Sequence, residues 1–157
     1  MPRSRACGRT VWVVQVEERT PVAFVTLPSG RFALIDADGV ILPPAQDHFK
    51  LPILAGVKST SSQDQRREAV EHMLRLSADL GEAMKEVSEI DVSAPGNVSI
   101  SRAYEGRMLK LMLGDRNYRH RYQHFLNHFR EIETQVPGAK VIDLRLDDRI
   151  TVVEAER

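Results

Sequence analysis

The sequence predicts an α+β fold: a mainly antiparallel β-sheet with two amphipathic helices on one face. Short runs of β-branched and apolar residues recur, separated by glycine, proline and aspartate. Two longer stretches instead repeat apolar residues at helical spacing. The order along the chain is strands, helix, strands, helix, strands, which favours short antiparallel connections and helices gathered on one side of the sheet.

Composition fits a single globular domain. The chain has 157 residues, of which 42% are apolar and 28% charged, enough to bury a core without covalent staples. Lys plus Arg and Asp plus Glu both number 22. This balance argues against a general nucleic-acid binder, which needs excess cations to neutralise phosphates. The single cysteine, Cys7, excludes an intramolecular disulfide, and no apolar run reaches the ~20 residues that a transmembrane helix needs.

The N-terminal third is predicted to contain four strands after a disordered segment. Residues 1–10 are small, polar and basic. The predicted strands are residues 11–16, 22–27, 31–35 and 40–42. Asp36-Ala37-Asp38-Gly39 is predicted as a hairpin turn, in which the aspartates bond their own backbone and Gly39 takes a positive φ. Residues 45–61 are predicted to be a loop.

The first helix is predicted to begin at Ser62. Ser62 and Gln65 have the spacing of a capping box. Apolar residues then follow at helical spacing: Val70, Met73, Leu74, Leu80 and Met84. The pattern predicts a helix of about four to six turns, weakened near its end by Gly81.

The second half is predicted to contain three strands, a helix and a terminal hairpin. The strands are residues 87–92, 97–101 and 108–113. Asp115 is predicted to cap the second helix, whose apolar stripe is the clearest in the chain: Tyr118, Tyr122, Phe125, Leu126, Phe129 and Ile132. Residues 141–146 and 149–153 then form the hairpin, with Asp147 and Asp148 as turn formers.

Five segments, taken together and in order, carry a family resemblance. They are VEERTPVA at 16–23, LIDADGV at 34–40, LPILAG at 51–56, Leu113-Gly114 ahead of the second helix, and VIDLR at 141–145. Across residues 14–153 this arrangement resembles the extracytoplasmic β domain of the FtsQ/DivIB family of bacterial cell-division proteins. After the segment at 1–10, predicted to be disordered from its composition, the resemblance implies a remnant POTRA strand and junction at 11–20 and an FtsQ/DivIB-like β domain at 21–157.

The resemblance implies a non-enzymatic divisome scaffold without a cofactor. Such proteins bind coiled-coil membrane proteins of the FtsL and FtsB type and help control septal peptidoglycan synthesis, outside the cytoplasmic membrane. The family's transmembrane helix and most of its POTRA domain have no counterpart in this sequence. Contact with the membrane is therefore expected only through that missing N-terminal anchor, and the chain alone is expected to be soluble.

The C-terminal hairpin is the predicted partner-binding surface. The resemblance places Arg145 at the arginine of the family's V-D-L-R strand and Leu146 where relatives often carry an aromatic residue. Independently, the last predicted strand is followed only by residues 154–157. If that strand lies at the sheet edge, its unpaired backbone groups can template an incoming strand. The predicted contact residues are Arg145, Leu146, Arg149, Thr151 and Val153.

Two roles for Arg145 stay open. Alternation along 141–146 divides the side chains between a core face and an outer face, respectively Ile142, Leu144 and Leu146, and Val141, Asp143 and Arg145. On the outer face, Arg145 is free to meet a partner carboxylate, or it pairs with Asp143 in the kind of exposed ion pair that is common on sheets.

Histidines on the second helix support an alternative class of function, a His-rich metal- or ligand-binding α+β domain unrelated to division. His120, His124 and His128 are spaced i, i+4, i+8, and such pairs can share a metal. They lie opposite or beside the apolar stripe, and no HExxH motif or second cluster completes a catalytic shell. The basic and aromatic residues of 116–130 also fail to make a base-stacking platform, because the aromatics fall on the buried stripe.

Overall fold

The computed structural model describes residues 12–43 and 48–155. In chain order its elements are β1 (Pro21–Thr26), β2 (Phe32–Asp36), β3 (Ile41–Leu42), β4 (Ile53–Ala55), α1 (Gln63–Leu80), a 3₁₀ helix (Gly81–Glu86), β5 (Val87–Asp91), β6 (Val98–Tyr104), β7 (Arg107–Gly114), α2 (Tyr118–Gln135), β8 (Ala139–Asp143) and β9 (Thr151–Ala155).

The strands of the described residues form one mixed sheet, in the order β3-β2-β1-β4-β5-β6-β7-β8-β9. Five neighbouring pairs are antiparallel and three are parallel. Two of the parallel pairs, β4 with β5 and β7 with β8, are joined through α1 and α2, since parallel neighbours need a long crossover. The predicted α+β class and mainly antiparallel sheet are confirmed.

The core lies between the sheet and the two helices. Strand alternation is clear in β7, where Leu109, Leu111 and Leu113 are fully buried while Met108 is half exposed. Buried side chains of α1 and α2 join those of the strands in one continuous cluster. The helices therefore cover the same face, as predicted.

Helix α1 begins with the predicted capping box. The Ser62 hydroxyl accepts from the Gln65 amide at 3.3 Å, and the Gln65 side chain accepts from the Ser62 amide at 3.1 Å. Two of the residues at helical spacing depart from the predicted helix pattern. Leu74 is 39% exposed, because it follows buried Met73 by 100° around the helix, and Met84 lies in the 3₁₀ helix beyond Gly81.

Helix α2 begins later than predicted. Asn117, in the left-handed region at φ 55°, is its cap, and the first helical residue is Tyr118. Asp115 is therefore not the cap. The stripe is buried at Tyr122 and Phe125, but Leu126 is 44% exposed, since it lies one position round the helix from Phe125.

The hairpin turn after β2 is held by one aspartate rather than two. Asp36 Oδ1 accepts from the amides of Asp38 and Val40 at 3.0 and 2.8 Å, and Gly39 has φ 75°. The predicted turn role of Asp36 is confirmed. Asp38 instead shares Arg19 with Asp36, at 3.2 and 2.5 Å respectively, so its predicted backbone role is wrong.

The strand predicted at 11–16 is absent from the described part of that range. Residues 12–20 carry no helix or strand, and Trp12, Val13, Val14 and Val16 are all at least 79% exposed. A strand needs a neighbour for its backbone hydrogen bonds, and this segment has none among the described residues. Val11, the segment 1–10 and Cys7 lie outside the described residues.

The predicted loop at 45–61 contains a central strand. Residues 53–55 form β4, which runs parallel to both β1 and β5, and Leu54 is 1% exposed. A three-residue apolar run between Pro52 and Gly56 is too short to show a period. It forms a strand because neighbours on both sides supply its hydrogen bonds. Residues 44–47 lie outside the described residues.

Candidate partner-binding edge of the sheet

Strand β9 is one end of the sheet and pairs with β8 alone among the described residues. The terminal hairpin is therefore present, but its strands are shifted from the prediction. Strand β8 ends at Asp143 instead of 146, and β9 spans 151–155 instead of 149–153. Residues 144–150 form the connection, which we call the β8–β9 loop.

The register shows which backbone groups of β9 face outward. The Leu144 amide donates to the Met112 carbonyl at 2.9 Å, so Asp143, one residue earlier, directs its backbone towards β9. Asp143 pairs with Thr151, and Ile142 with Val152. These two pairs precede the register shift that follows Val152, and hydrogen-bonded and non-bonded pairs alternate in a regular stretch of antiparallel ladder. Thr151 therefore faces β8, while the N–H and C=O of Val152 point to the open edge.

The predicted contact residues lie along this edge and its loop. Val153 is 60% exposed and Leu146 is 54% exposed, while Thr151 is also exposed. Leu146 was expected to be both core and contact residue, and its core assignment is wrong because β8 ends before it. The Arg149 guanidinium has a distant contact, 4.0 Å, with Asp148.

Arg145 pairs with Asp143 within the chain. Its Nε lies 2.9 and 3.0 Å from the two carboxylate oxygens, and its Nη2 lies 2.6 Å from Oδ2. These hydrogen bonds hold the pKa of Asp143 below its usual range. The structure thus realises the ion-pair alternative, although the Arg145 side chain stays 46% exposed.

A buried arginine that the sequence interpretation missed lies behind the β8–β9 loop. Arg121 on α2 is 4% exposed. Its Nη1 donates to the Leu113 carbonyl at 2.5 Å, and its Nε donates to Asp147 Oδ1 at 2.7 Å. Arg121 follows Tyr118 by three residues and precedes Phe125 by four, so it belongs to the apolar stripe by position. The presence of a cationic residue within the apolar stripe was the sequence signal that could have identified this buried arginine.

Asp147 is consequently not a turn former for its own backbone. It accepts from Arg121 and also from Asn117 Nδ2 at 3.2 Å. The hydrogen bond from Arg121 is the main reason that the pKa of Asp147 lies below its usual range. For Asp148, also predicted as a turn former, the described residues show only the 4.0 Å contact with Arg149.

The histidines of α2 lie on its outer side. His120 and His128 are exposed and His124 is half-buried. His128 Nδ1 lies 2.9 Å from the His124 carbonyl oxygen, and the rings of His120 and His124 stack with centroids 6.3 Å apart. No three His, Cys, Asp or Glu side chains in the described ranges are arranged to hold a metal ion.

The lowered pKa of Asp147 predicts an acid dependence of stability. Its ion pair stabilises the fold fully above the unfolded pKa of about 3.9 and loses that effect as the pH falls through the lower folded pKa. We expect the free energy of unfolding to decrease below about pH 5, and to decrease less steeply in Asp147→Asn. Urea denaturation at several pH values tests this. Equal slopes for both proteins would contradict it.

The fold and its open edge define the class of this protein: an α+β domain whose mixed sheet is backed by two helices and ends in a strand, β9, that is paired on one side only among the described residues. No helix among residues 12–43 and 48–155 is long and apolar enough to cross a membrane. The chain belongs to the FtsQ/DivIB family, since the family described as "Cell division protein FtsQ/DivIB, C-terminal" matches residues 23–145.

Two curated relatives carry the same family name. The chain is 29% identical over 144 residues to "Cell division protein FtsQ" of Koribacter versatilis, covering 87% of this chain and 41% of the relative. It is 27% identical over 148 residues to "Cell division protein FtsQ" of Geotalea daltonii, covering 88% and 52%. The chain thus spans about half the length of these relatives. Membership of this family overturns the alternative of a domain unrelated to division.

Proposed function

We propose that this chain is a non-enzymatic scaffold of the division machinery. In the proposal it receives a strand from an FtsL/FtsB-type coiled-coil membrane protein at β9, and so helps control septal peptidoglycan synthesis. The observation that carries the proposal is the open edge of β9. Such an edge offers a row of unused N–H and C=O groups to an extended segment.

The chemistry of the edge suits an extended segment with alternating apolar side chains. Val152 presents its backbone groups outward, and Val153 and Leu146 expose apolar surface on either side of the strand start. In strand addition, main-chain hydrogen bonds supply affinity and alternate side chains supply specificity. A partner strand with apolar residues at every second position would cover both side chains.

Two arginines lie in the β8–β9 loop beside the edge, and they differ in how far their charge is neutralised. Arg145 is already neutralised by Asp143, whereas Arg149 is 66% exposed at its side chain, with its carboxylate contact 4.0 Å away. At Arg145, a partner carboxylate would share the guanidinium with Asp143. At Arg149, it would meet a cation whose contact with a carboxylate of its own chain is more distant. Charges at such a rim act mainly on association rate and orientation.

The placement of the whole protein is part of the proposal. Family members carry a membrane anchor and a POTRA domain, so the β domain would lie on the extracytoplasmic side of the bacterial cell membrane. Residues 11–20 would be the last POTRA strand and the junction. The exposure of Val13, Val14 and Val16 supports this, because such β-branched residues suit a strand whose neighbours are supplied elsewhere.

Reversing the charge of Arg145 is expected to weaken partner binding by about two- to tenfold. In Arg145→Glu the new carboxylate lies beside Asp143 and repels an acidic partner. Binding of an FtsB-type extracytoplasmic segment, measured by calorimetry, gives the effect. Arg31→Glu is the matched control, because Arg31 is an exposed arginine in the β1–β2 turn at the other end of the sheet. Equal affinity of folded Arg145→Glu and wild type would contradict the contact.

A further inference from the structure

A buried guanidinium joins three elements behind the β9 edge. Arg121 extends from the first turn of α2 and is 4% exposed. It donates to the last part of β7 through the Leu113 carbonyl at 2.5 Å and to the β8–β9 loop through Asp147 at 2.7 Å. Arg121 is thus the side chain through which the helix, the sheet and the loop meet.

Asp147, in the β8–β9 loop, accepts a second hydrogen bond from the start of α2. Asn117, the left-handed cap of α2, donates from Nδ2 to Asp147 Oδ2 at 3.2 Å. Both oxygens of one half-exposed carboxylate are therefore held by α2. Leu146 and Asp148, the neighbours of Asp147, lie at the surface. Asp147 therefore ties the middle of the loop to α2, whereas Arg145 ties its start to Asp143 on β8.

The Arg121 guanidinium lies close to the backbone of Gly114. Gly114 has φ 79°, and a methyl group at this residue would lie 2.7 Å from Arg121 Nη1 and 3.3 Å from Arg145 Cγ. Glycine is therefore needed there for its backbone conformation and for the approach of both arginines. A side chain at residue 114 would therefore crowd Arg121 in its observed position.

We infer that Arg121 is the positioning residue of the partner-binding edge. By holding Asp147 it fixes the β8–β9 loop, and through the loop it fixes Leu146 and the start of β9 in the arrangement that an incoming strand meets. The link to a partner rests on the proposed function, whereas the ordering of the loop by Arg121 does not. A merely structural role would lower global stability without loosening this loop selectively.

Nuclear spin relaxation separates these roles. Backbone order parameters of residues 144–150 are measured in wild type, in Asp147→Ala and in the control Asp148→Ala. Asp148 has a side chain that is 79% exposed and no contact with Arg121. We expect the order parameters in the loop to fall from about 0.85 to below about 0.6 in Asp147→Ala, with those of α1 unchanged and the control like wild type.

A second variant guards against loss of the fold. Asp147→Ala removes the carboxylate that is hydrogen-bonded to a buried guanidinium and leaves only Asp115, 4.0 Å away, near it. Unfolding of this variant would hide the loop effect. The double variant Arg121→Met/Asp147→Ala removes the buried charge as well, and we expect a folded chain with the same mobile loop. A loop as ordered as wild type in either folded variant, or a loop equally loosened in Asp148→Ala, overturns the inference.

The second experiment measures partner binding, with the extracytoplasmic segment of an FtsB-type protein as the probe. We expect its affinity for the double variant to fall at least fivefold. Unchanged affinity with a loosened loop overturns the claim that loop order governs the edge. If wild type itself fails to bind the probe, the proposed function fails, while the order parameters still decide whether Arg121 orders the loop.

Discussion

Phe125→Ala is expected to lower the free energy of unfolding by about 3–5 kcal/mol, the cost of removing a buried aromatic ring from a closed core. Phe125 is 1% exposed. Its ring centroid lies 4.8 Å from that of Phe129 and 6.0 Å from that of Tyr122, so the substitution would open a cavity beside these two rings. For a chain of this size the melting temperature should fall by roughly 6–20 °C.

The adjacent residue provides the control for this prediction. Leu126 is also a large apolar residue of α2, but it is 44% exposed. Leu126→Ala should therefore change the free energy of unfolding by only about 0.5 kcal/mol. Urea denaturation of both variants measures the difference, and equal losses at the two positions would show that the buried stripe of α2 is wrongly assigned.

Val152→Pro is expected to weaken binding of an FtsB-type segment at least about tenfold while leaving the fold intact. Proline removes an outward-facing donor from the edge, and its ring obstructs the approaching strand. An edge strand tolerates proline where the lost N–H faces solvent. The register directs the N–H of Val152 outward. Thr151 faces β8 instead, so a proline there would disturb the sheet itself and give no clean test.

Val152→Ala is the matched control, because it shortens the same partly buried side chain but keeps the N–H. Affinity of Val152→Ala should stay within about threefold of wild type. Circular dichroism and thermal melting establish that both variants are folded. If the proline and alanine variants bind equally well, the partner does not use the backbone of β9.

Local sequence signals were sufficient to predict the features that depend only on neighbouring residues. The capping box at Ser62 and the turn at Asp36 depend on a few neighbouring residues, and both form as predicted. The stripe of α2 was predicted because its period is long enough to be distinct. Errors within it, at Leu126, came from the limited angular width that the sheet can cover.

Features that depend on distant partners were missed. Strand β4 is three residues long and exists because β1 and β5 flank it. Arg121 is buried because Leu113, on the preceding strand, and Asp147, 26 residues further along the chain, satisfy its guanidinium. For the candidate site, the sequence predicted an edge strand and its exposed side chains, but not which backbone groups face outward. That depends on the register with β8, which pattern alone does not determine.

Amide hydrogen exchange at Val152 tests the central claim most directly. Its N–H points away from β8 and should exchange rapidly in the free chain. If a partner segment adds to β9, this amide becomes hydrogen-bonded, and its exchange should slow by about tenfold or more when an FtsB-type segment is present at saturation. Binding of the segment with no slowing at Val152 would contradict strand addition at this edge.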